Sequence, residues 1–544
     1  MLIALLTTLA AGQAVPVRDR PATPPAATAV VRGRVTSAET REPLHRVRVT
    51  LNGLAQLPAG VTNTRGEFEI TEVPAGIYTL SMARSGYLTV LYGQRNPGDS
   101  GRTIEIKSGA VVEGIDVAMV RGGVLAGTIT DDTGGEFPGV RVEATEFRYI
   151  KGRRLLVQAG IATTNDLGQF RLAGLAPGSY VLRASTNDTW ESDDGTIGYA
   201  YAITFYPGVT ASTDAETLTL RAGQELMPLN FSLRPGRAAR ISGSFQNAAG
   251  EGQTSQTISL SLITRGIGGA PFSSQAAGSA RSDHNGGFEF RNLASGEYML
   301  SSGGDAERAS VTVVVGDGDD RSVILRPNKP TVVSGTIVPD GDVALPLSPG
   351  RIAIDAVSTD PDSVFRGFTD PGPAAVNRDW SFRFANLSGQ YIFRAGGLPG
   401  DWMLTRVVVG DRDVTDLPLV IPPGSPAITG LRVAVSDKGA RVNGQVRNAD
   451  GAPNANSVVV IFSADRSRWA FPSRFVRTVR PDGDGRFSIG GLVPGAYRAV
   501  AREFVINGQS EDPAFLATLV QFATEFDAVA GDTATLTLSV RATR

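Results

Sequence analysis

A repeated motif constrains the fold of this chain more than any other feature. Its first copy is Thr62–Ile70 (TNTRGEFEI), followed by Val73–Tyr78 (VPAGIY). The same order of residue types returns in four further places, which are Thr164–Tyr180, Ser282–Tyr298, Asp379–Tyr391 and Asp482–Tyr497. Because self-similarity of this kind implies repeated structural units, the chain is predicted to be an array of similar modules.

Each part of the motif has a local structural meaning. Asn63 followed by Gly66 predicts a tight turn, since the Asn side chain mimics a backbone turn and Gly accepts a positive φ. Alternation from Phe68 to Ile70 predicts a half-buried strand. A second turn follows, and Tyr78 is expected to bury its ring while its hydroxyl reaches a partner. In the fourth copy Trp380 replaces the first glycine, and it is predicted to lie in the repeat strand and in the core.

A second marker precedes each copy of the motif. Glycines in apolar first strands recur about 100 residues apart, which is the size of a seven-stranded sandwich; they are Gly33, Gly127, Gly243, Gly335 and Gly444. The chain also holds 64 glycines and 32 prolines without a collagen period. Many turns between short apolar runs indicate an all-β protein.

The predicted fold class is therefore all-β, with five tandem Ig-like or transthyretin-like β-sandwich modules in a rod-like array. The modules are predicted at residues 28–120, 121–236, 237–327, 328–436 (the degenerate copy) and 437–544. The last module is predicted to contain one short helix. Asp512 suits its N-cap and Pro513 its first turn, and the apolar residues that recur at helical spacing are Phe515, Leu516, Leu519, Val520 and Ala523.

The N-terminal residues resemble an export signal. An apolar stretch ends near Gly12 and Ala14, the small residues that a signal peptidase requires, so residues 1–14 are predicted to be a signal peptide. Pro- and Ala-rich residues 15–27 are predicted to be a linker. No later segment approaches the roughly 20 apolar residues of a membrane span. We therefore expect an extracytoplasmic protein, periplasmic, secreted or at the cell surface, without a transmembrane anchor in the mature chain.

The inventory of reactive residues argues against catalysis. Cysteine is absent, and the two histidines, His45 and His284, lie in different modules. Neither a metallopeptidase ligand set nor a Ser-His-Asp arrangement can be assembled from them within one module. We predict that the chain is not an enzyme and uses no cofactor. A net charge of −2 also gives no basic face for nucleic acid.

Acidic clusters raise the question of calcium. Asp482 with Asp484, and Asp317 with Asp319 and Asp320, offer oxygen ligands suited to a hard cation. However, neither cluster continues to the distal Glu of an EF-hand loop, and Asp482 occupies the turn position of the repeat. The turn interpretation is favoured, and no metal site is predicted.

One aromatic cluster has the composition of a carbohydrate site, because sugar rings stack on exposed aromatic side chains beside polar groups. It lies in the part of module two that exceeds the repeat. The candidate ligand-binding residues are Trp190, Glu191, Asp193, Asp194, Tyr199 and Tyr201. The alternative is a loop that tucks Trp190 onto its own sandwich.

The first-strand glycine and the Gly-x-Phe-x-Ile…Leu-x-Pro-Gly-x-Tyr pattern resemble the carboxypeptidase regulatory-like domain. Longer phrases such as Tyr206–Gly208 and Gly410–Asp416 resemble multi-module exported proteins of Acidobacteria-type bacteria. The resemblance covers the chain from about residue 28 to its end. It implies a transthyretin-like β-sandwich, grouped with the carbohydrate-binding-like folds, and an exported chain. It implies no established activity, since this domain is the non-catalytic partner of a peptidase.

Two classes of function remain after this reasoning. The chain could be an exported, non-catalytic binding protein that recognises a carbohydrate or another cell-surface ligand through loop aromatics. Alternatively, it could be a structural or adhesive spacer array that mediates protein–protein or cell-surface contacts. Exposure of Trp190 favours the first class, whereas burial of every tryptophan favours the second.

Overall fold

The protein is built of β-strands joined by tight turns, and in each module the first strand pairs in parallel with the last. Its structure is a computed structural model that describes residues 28–53, 59–94, 101–247, 249–265, 271–303, 308–327, 329–341, 344–345, 348–360 and 371–541. The predicted signal peptide (1–14) and linker (15–27) lie outside the described residues. Module one forms one compact unit, and modules two to five form a second. The all-β prediction is confirmed, whereas the module boundaries stay predictions.

Module one consists of two sheets. Its strands are β1 (Ala29–Ser37), β2 (Arg48–Asn52), β3 (Ala59–Val61), β4 (Glu67–Val73), β5 (Gly76–Ala83), β6 (Val90–Leu91), β7 (Ile104–Ile106) and β8 (Val111–Met119). One sheet has the order β4-β1-β8, and the other has the order β3-β2-β5-β6 with β7 also on β5. The first strand is antiparallel to β4 and parallel to β8.

Module two adds a third, small sheet to this plan. Its strands are β9 (Gly123–Thr130), β10 (Arg141–Ile150), β11 (Arg153–Thr163), β12 (Gln169–Leu175), β13 (Gly178–Ser185), β14 (Thr189–Glu191), β15 (Gly198–Ala202), β16 (Thr204–Phe205), β17 (Leu218–Leu220), β18 (Glu225–Leu226), β19 (Phe231–Ser232) and β20 (Arg234–Arg237). The extra sheet has the order β14-β15-β20. Its strands β14 and β15 lie in the segment that exceeds the repeat, and β20 lies at the end of module two.

Modules three and four keep the two-sheet plan. Module three has β21 (Ala239–Phe245), β22 (Thr257–Arg265), β23 (Pro271–Arg281), β24 (Gly287–Leu293), β25 (Gly296–Gly303), β26 (Arg308–Val315) and β27 (Asp320–Leu325). Module four has β28 (Thr331–Pro339), β29 (Ala353–Ser358), β30 (Ala374–Ala375), β31 (Ser381–Leu387), β32 (Gly389–Gly396), β33 (Met403–Val409), β34 (Arg412–Asp413), β35 (Leu419–Ile421) and β36 (Ile428–Ser436). In both, the first strand is again parallel to the last.

Module five contains the predicted short helix. Its elements are β37 (Ala440–Arg447), β38 (Val458–Ser463), β39 (Val476–Val479), β40 (Arg486–Leu492), β41 (Gly495–Arg502), α1 (Pro513–Leu519), β42 (Thr524–Ala528) and β43 (Thr533–Arg541). The Asp512 side chain accepts a hydrogen bond from Ala514 N at the start of α1. Leu516 and Leu519 are buried and pack with Trp469 on the outer face of the module. The helix therefore covers the sandwich as predicted.

The first-strand glycine is required by the parallel pairing of first and last strands. A Cβ atom on Gly33 would lie 2.0 Å from the carbonyl oxygen of Ile115, and one on Gly127 would lie 2.0 Å from that of Leu229. No side chain can occupy such a position without moving the backbone of the last strand. Glycine therefore recurs because the two strands approach each other closely.

The turn of the motif has the same geometry in every module. Gly66 has a φ of 76°, its N–H donates to Asn63 O, and its own oxygen accepts from Val35 N. The Asn63 side chain holds the turn by accepting from the backbone nitrogens of Arg65 and Glu67. This confirms the predicted role of the Asn and Gly pair.

The prediction for Trp380 was wrong in its placement. This residue occupies the glycine position of the turn, before β31, with a φ of 65°. Its N–H donates to Asn377 O and its oxygen accepts from Ile337 N, as Gly66 does with its counterparts. The indole is half-buried against the module-four core. Packing of the ring therefore holds a non-glycine residue in a backbone region that L-residues seldom occupy.

The tyrosine at the end of each copy of the motif makes the same hydrogen bond. In every copy the ring is buried and its hydroxyl donates to a backbone oxygen of the preceding turn. The acceptors are Pro74 for Tyr78, Ala176 for Tyr180, Ala294 for Tyr298, Ser388 for Tyr391 and Val493 for Tyr497. The expectation that this ring is core and its hydroxyl satisfied is confirmed.

Modules two and five also contact each other within the second unit. The hairpin between β10 and β11 turns at Gly152, where a Cβ would lie 2.6 Å from Glu511 O. Gly508 approaches Tyr149 O equally closely, at 2.4 Å from its ideal Cβ position. Module two therefore touches module five as well as its sequence neighbour. Within the described residues, no helix is long and apolar enough to cross a bilayer.

Candidate functional site

The candidate residues of module two share one small sheet. Trp190 on β14 lies directly opposite Tyr199 on β15, and Tyr201 on β15 lies opposite Pro235 on β20. The strand β20 is the connection that leads into module three. The Ala238 N–H that follows it donates to Gly198 O at 2.7 Å. The sheet therefore joins the insertion of module two to the junction between modules two and three.

Three aromatic rings lie together on this sheet. Residues 199 and 201 are two apart on one strand and so project to the same face. The Trp190 ring is stacked on Tyr199 with centroids 5.4 Å apart, and it is tilted against Tyr201 at 4.8 Å. We name Trp190, Tyr199 and Tyr201 the aromatic patch.

The patch is anchored at Tyr201. This side chain is only 9% exposed and makes an edge contact with Phe137 at 5.1 Å. Its hydroxyl donates to Asp132 Oδ1 at 3.1 Å. Burial, together with the hydrogen bond to Asp132, raises the pKa of Tyr201 above its ordinary value. Tyr201 is thus a support within the patch and not a freely accessible group.

Trp190 is the outer member of the patch. It is 37% exposed although one side of the ring rests on the two tyrosines. The structure therefore combines the two interpretations, since the ring packs on its own module and also presents surface to solvent. Trp469, in contrast, is 1% exposed and its Nε1 donates to Ser463 O.

The acidic residues of the candidate site have different roles. Asp194 Oδ1 accepts from Ser192 Oγ at 2.6 Å, from Thr196 Oγ1 at 2.7 Å and from Thr196 N at 3.1 Å. These hydrogen bonds, the one from Ser192 first, lower the pKa of Asp194 to about 2. Asp194 therefore shapes the turn between β14 and β15. Glu191, at the end of β14, and Asp193, in the turn, are exposed and can face a ligand.

The acidic clusters weighed as calcium sites also serve turns. Asp482 Oδ1 accepts from the backbone nitrogens of Asp484 and Arg486, and Asp319 Oδ2 accepts from Gly316 N and from Arg321. Among the described residues, no group of three or more His, Cys, Asp or Glu side chains is placed to hold a metal ion.

The junction between modules two and three contains a buried charge network that sequence reasoning missed. Arg183 and Glu143, both in module two, form an ion pair in which each side chain is 1% exposed. Arg183 Nη1 also donates across the junction to Thr264 Oγ1 at 2.5 Å. Beside it, Ser185 Oγ donates to Gln275 Oε1 at 3.0 Å. The sequence signal was an arginine within an apolar strand, which is rare unless the charge is paired.

A second charged junction joins modules four and five. Asp416 of module four accepts from Arg474 Nη2 of module five at 2.9 Å and from Arg394 Nη2 at 3.2 Å. Arg394 Nη2 also donates to Pro472 O across the junction at 2.7 Å, and Arg474 Nη1 to Leu404 O at 2.8 Å. Specific polar contacts therefore fix the relative placement of these two modules.

Comparison with known proteins gives remote likenesses only. No family model matches the chain, and no curated protein matches it. Among solved structures, the chain is similar to a streptococcal ancillary pilin, with 11% identity over 55% of this chain and 99% of that chain and a TM-score of 0.20. It is similar to the Bacillus anthracis TIE protein, with 9% identity over 93% of this chain and 76% of that chain and a TM-score of 0.16. It is also similar to the major pilin subunit of Bacillus cereus, with 12% identity over 56% of this chain and 99% of that chain and a TM-score of 0.14. These likenesses are too remote to assign a function.

Proposed function

We propose that the chain is an exported, non-catalytic, multi-module binding protein whose aromatic patch contacts a surface ligand. The observation that carries this proposal is the exposed indole of Trp190, held against Tyr199 and Tyr201 on a sheet that includes the connection to module three. A ring fixed in this way loses little conformational freedom when it binds, which favours affinity.

The ligand class proposed for this patch is a carbohydrate. A pyranose ring presents C–H groups that pack on the face of an indole, while its hydroxyls need polar partners nearby. Exposed Glu191 and Asp193 lie at the turn beside Trp190. The resemblance of the modules to carboxypeptidase regulatory-like domains, with their carbohydrate-binding-like fold, supports the same proposal by analogy of fold.

A glycan array with the full-length chain tests this function. We expect binding to a subset of glycans, and loss of at least tenfold in signal with Trp190→Ala. Phe522→Ala is the matched control, because Phe522 is an aromatic side chain of module five that is 44% exposed and lies outside the patch. Absence of glycan binding by the unaltered chain, or equal binding by Trp190→Ala, would reject the carbohydrate proposal.

The second candidate function is an adhesive or structural spacer array. It is favoured by the two charged junctions, which hold neighbouring modules in defined positions through Arg183 with Thr264 and through Asp416 with Arg474. An array that transmits force or presents surfaces needs such fixed neighbours. Binding of the chain to cell surfaces stripped of glycans, retained by Trp190→Ala, would support this class over the first.

Export is part of both proposals. The apolar N-terminal stretch and the small residues Gly12 and Ala14 support an extracytoplasmic location. Fusion of residues 1–27 to a phosphatase that is active only outside the cytoplasm tests it. Activity of the fusion is expected, and an inactive, uncleaved fusion would count against export.

A further inference from the structure

A cavity at the junction of modules four and five is lined by three arginines. It has a volume of about 320 Å³, within the range of small-ligand pockets. The residues that matter here are Arg394 and Trp402 of module four, and Arg474, Arg477 and the backbone of Gly490 and Gly491 of module five. The cavity is distinct from the aromatic patch, which lies at the junction of modules two and three.

Two of the three arginines are committed to the junction itself. Arg394 donates to Thr415 O, to Pro472 O and to Asp416. Arg474 donates to Leu404 O and to both oxygens of Asp416. Their donors are therefore almost fully used by protein acceptors. Among the described residues, Asp416 is the carboxylate that faces the two positive charges.

The charge of a further pair beside the cavity is balanced. Asp401 Oδ1 lies 2.7 Å from Arg441 Nη2, so this carboxylate does not offset the arginines of the cavity wall. The excess positive charge of Arg394, Arg474 and Arg477 over Asp416 therefore remains at the junction.

Arg477 differs from the other two arginines because few of its N–H groups have acceptors among the described residues. It lies on β39, and its guanidinium donates to the carbonyl of its neighbour Val476 at 3.3 Å. Within the described part of the chain it has no carboxylate in ion-pair distance. Burial, with the positive charge of Arg474 as a smaller cause, lowers the pKa of Arg477. An arginine nevertheless stays charged at neutral pH, so a partly buried cation faces the cavity without a counter-charge.

We propose that this cavity binds a small organic carboxylate, with Arg477 as its direct ligand. A guanidinium presents its N–H groups as a planar fork that matches a carboxylate with two parallel hydrogen bonds. Arg394 and Arg474 supply positive charge from fixed positions, and the half-buried indole of Trp402 forms an apolar wall for the body of the ligand. The volume admits a molecule of the size of a hexuronic acid.

Isothermal titration of the full-length chain with sodium glucuronate tests the proposal, at constant ionic strength with glucose as the neutral comparison. We expect one site per chain for glucuronate and binding at least tenfold weaker for glucose. Arg477→Gln should weaken glucuronate at least tenfold, and Arg477→Lys, which keeps the charge but loses the fork, should lie between the two. Arg486→Gln is the matched control, because Arg486 of the same module is exposed and paired with Asp484.

The outcomes separate this site from the aromatic patch. Unchanged glucuronate affinity in Trp190→Ala is expected, whatever the glycan array shows. No glucuronate binding by the unaltered chain, or equal affinity in Arg477→Gln with an unchanged melting temperature, would overturn the proposal. Sulfate binding as tight as glucuronate would overturn its carboxylate preference. If Arg477→Gln fails to fold, the comparison of Arg477→Lys with the unaltered chain decides.

Discussion

Replacement of Glu143 by Leu is predicted to destabilise module two more than replacement of its partner Arg183. Both side chains are 1% exposed, so neither charge has water to replace a lost partner. Glu143→Leu leaves the Arg183 guanidinium buried without its carboxylate, and removal of one member of a buried pair costs about 3–5 kcal/mol. Burial lowers the pKa of Arg183. The cause is the same loss of hydration that makes an unpaired Arg183 costly.

The converse change should cost less because Glu143 has a second partner. Arg141 Nε donates to Glu143 Oε1 at 2.7 Å, so this oxygen stays paired in Arg183→Met, whereas Glu143 Oε2 and Thr264 lose their Arg183 donor. We expect about 1–3 kcal/mol for this variant. The double variant Glu143→Leu with Arg183→Met leaves no buried charge and should recover most of the loss of Glu143→Leu.

Hydrogen exchange followed by mass spectrometry measures these costs locally, which suits a chain of several modules that does not unfold in one step. Protection of the peptides from β10 and β13 should fall about 10²–10⁴-fold in Glu143→Leu, since each 1.4 kcal/mol is tenfold. Peptides from β1 in module one serve as the internal control. A loss below tenfold in Glu143→Leu, or an equal loss in Arg183→Met, would show that an unpaired Arg183 charge is not what destabilises the module.

Three further predictions follow from single contacts. Gly127→Ala places a Cβ against Leu229 O and should lower the local free energy of opening in module two by about 1–3 kcal/mol, measured by hydrogen exchange of the β9 peptides; unchanged protection would show that the last strand moves without cost. Tyr180→Phe loses the hydrogen bond to Ala176 O and should cost about 0.5–1.5 kcal/mol in the same assay, with Tyr87→Phe, at a partly buried tyrosine outside the motif, as the comparison. Burial raises the pKa of Glu511 above 4.5 in the folded chain, so the ionised form opposes folding: stability should decline as pH rises from about 4.5 through the raised value and then level off. Glu511→Gln should remove this decline and raise the melting temperature at pH 7, and a steeper decline in the variant would contradict the assignment.

The structure of the repeat could be predicted from sequence because its turns and hydrogen bonds join residues that are only a few positions apart. Asn63 and Gly66 determine a turn within a few residues, and Tyr78 finds its acceptor Pro74 four residues away. The helix after Asp512 was predictable for the same reason. Trp380 shows the limit of this reasoning, because its positive φ is held by packing against the module-four core, and no pattern of neighbouring residues reports such packing.

The junctions could not be predicted because their partners are distant in sequence. Arg183 binds Glu143, which is 40 residues away in sequence, and Thr264, which is 81 residues away in sequence. Arg474 meets Asp416 across 58 residues. Residue types alone indicate that a charge within a strand needs a partner, but they do not indicate which one. For the aromatic patch, composition located the residues, whereas the burial of Tyr201 and the exposure of Trp190 depend on the pairing of β14, β15 and β20.

Both proposed sites lie beside a junction between two modules. The sheet of the aromatic patch includes β20 and is closed by the hydrogen bond from Ala238 N to Gly198 O, and the carboxylate cavity is lined from modules four and five. The repeat gives each module its own core. Module two carries every residue of the aromatic patch, whereas a single module four or five would present only part of the carboxylate cavity. The features that could carry function in this chain therefore arise from how successive modules are joined, and the buried charges at the junctions are what keep those joins specific.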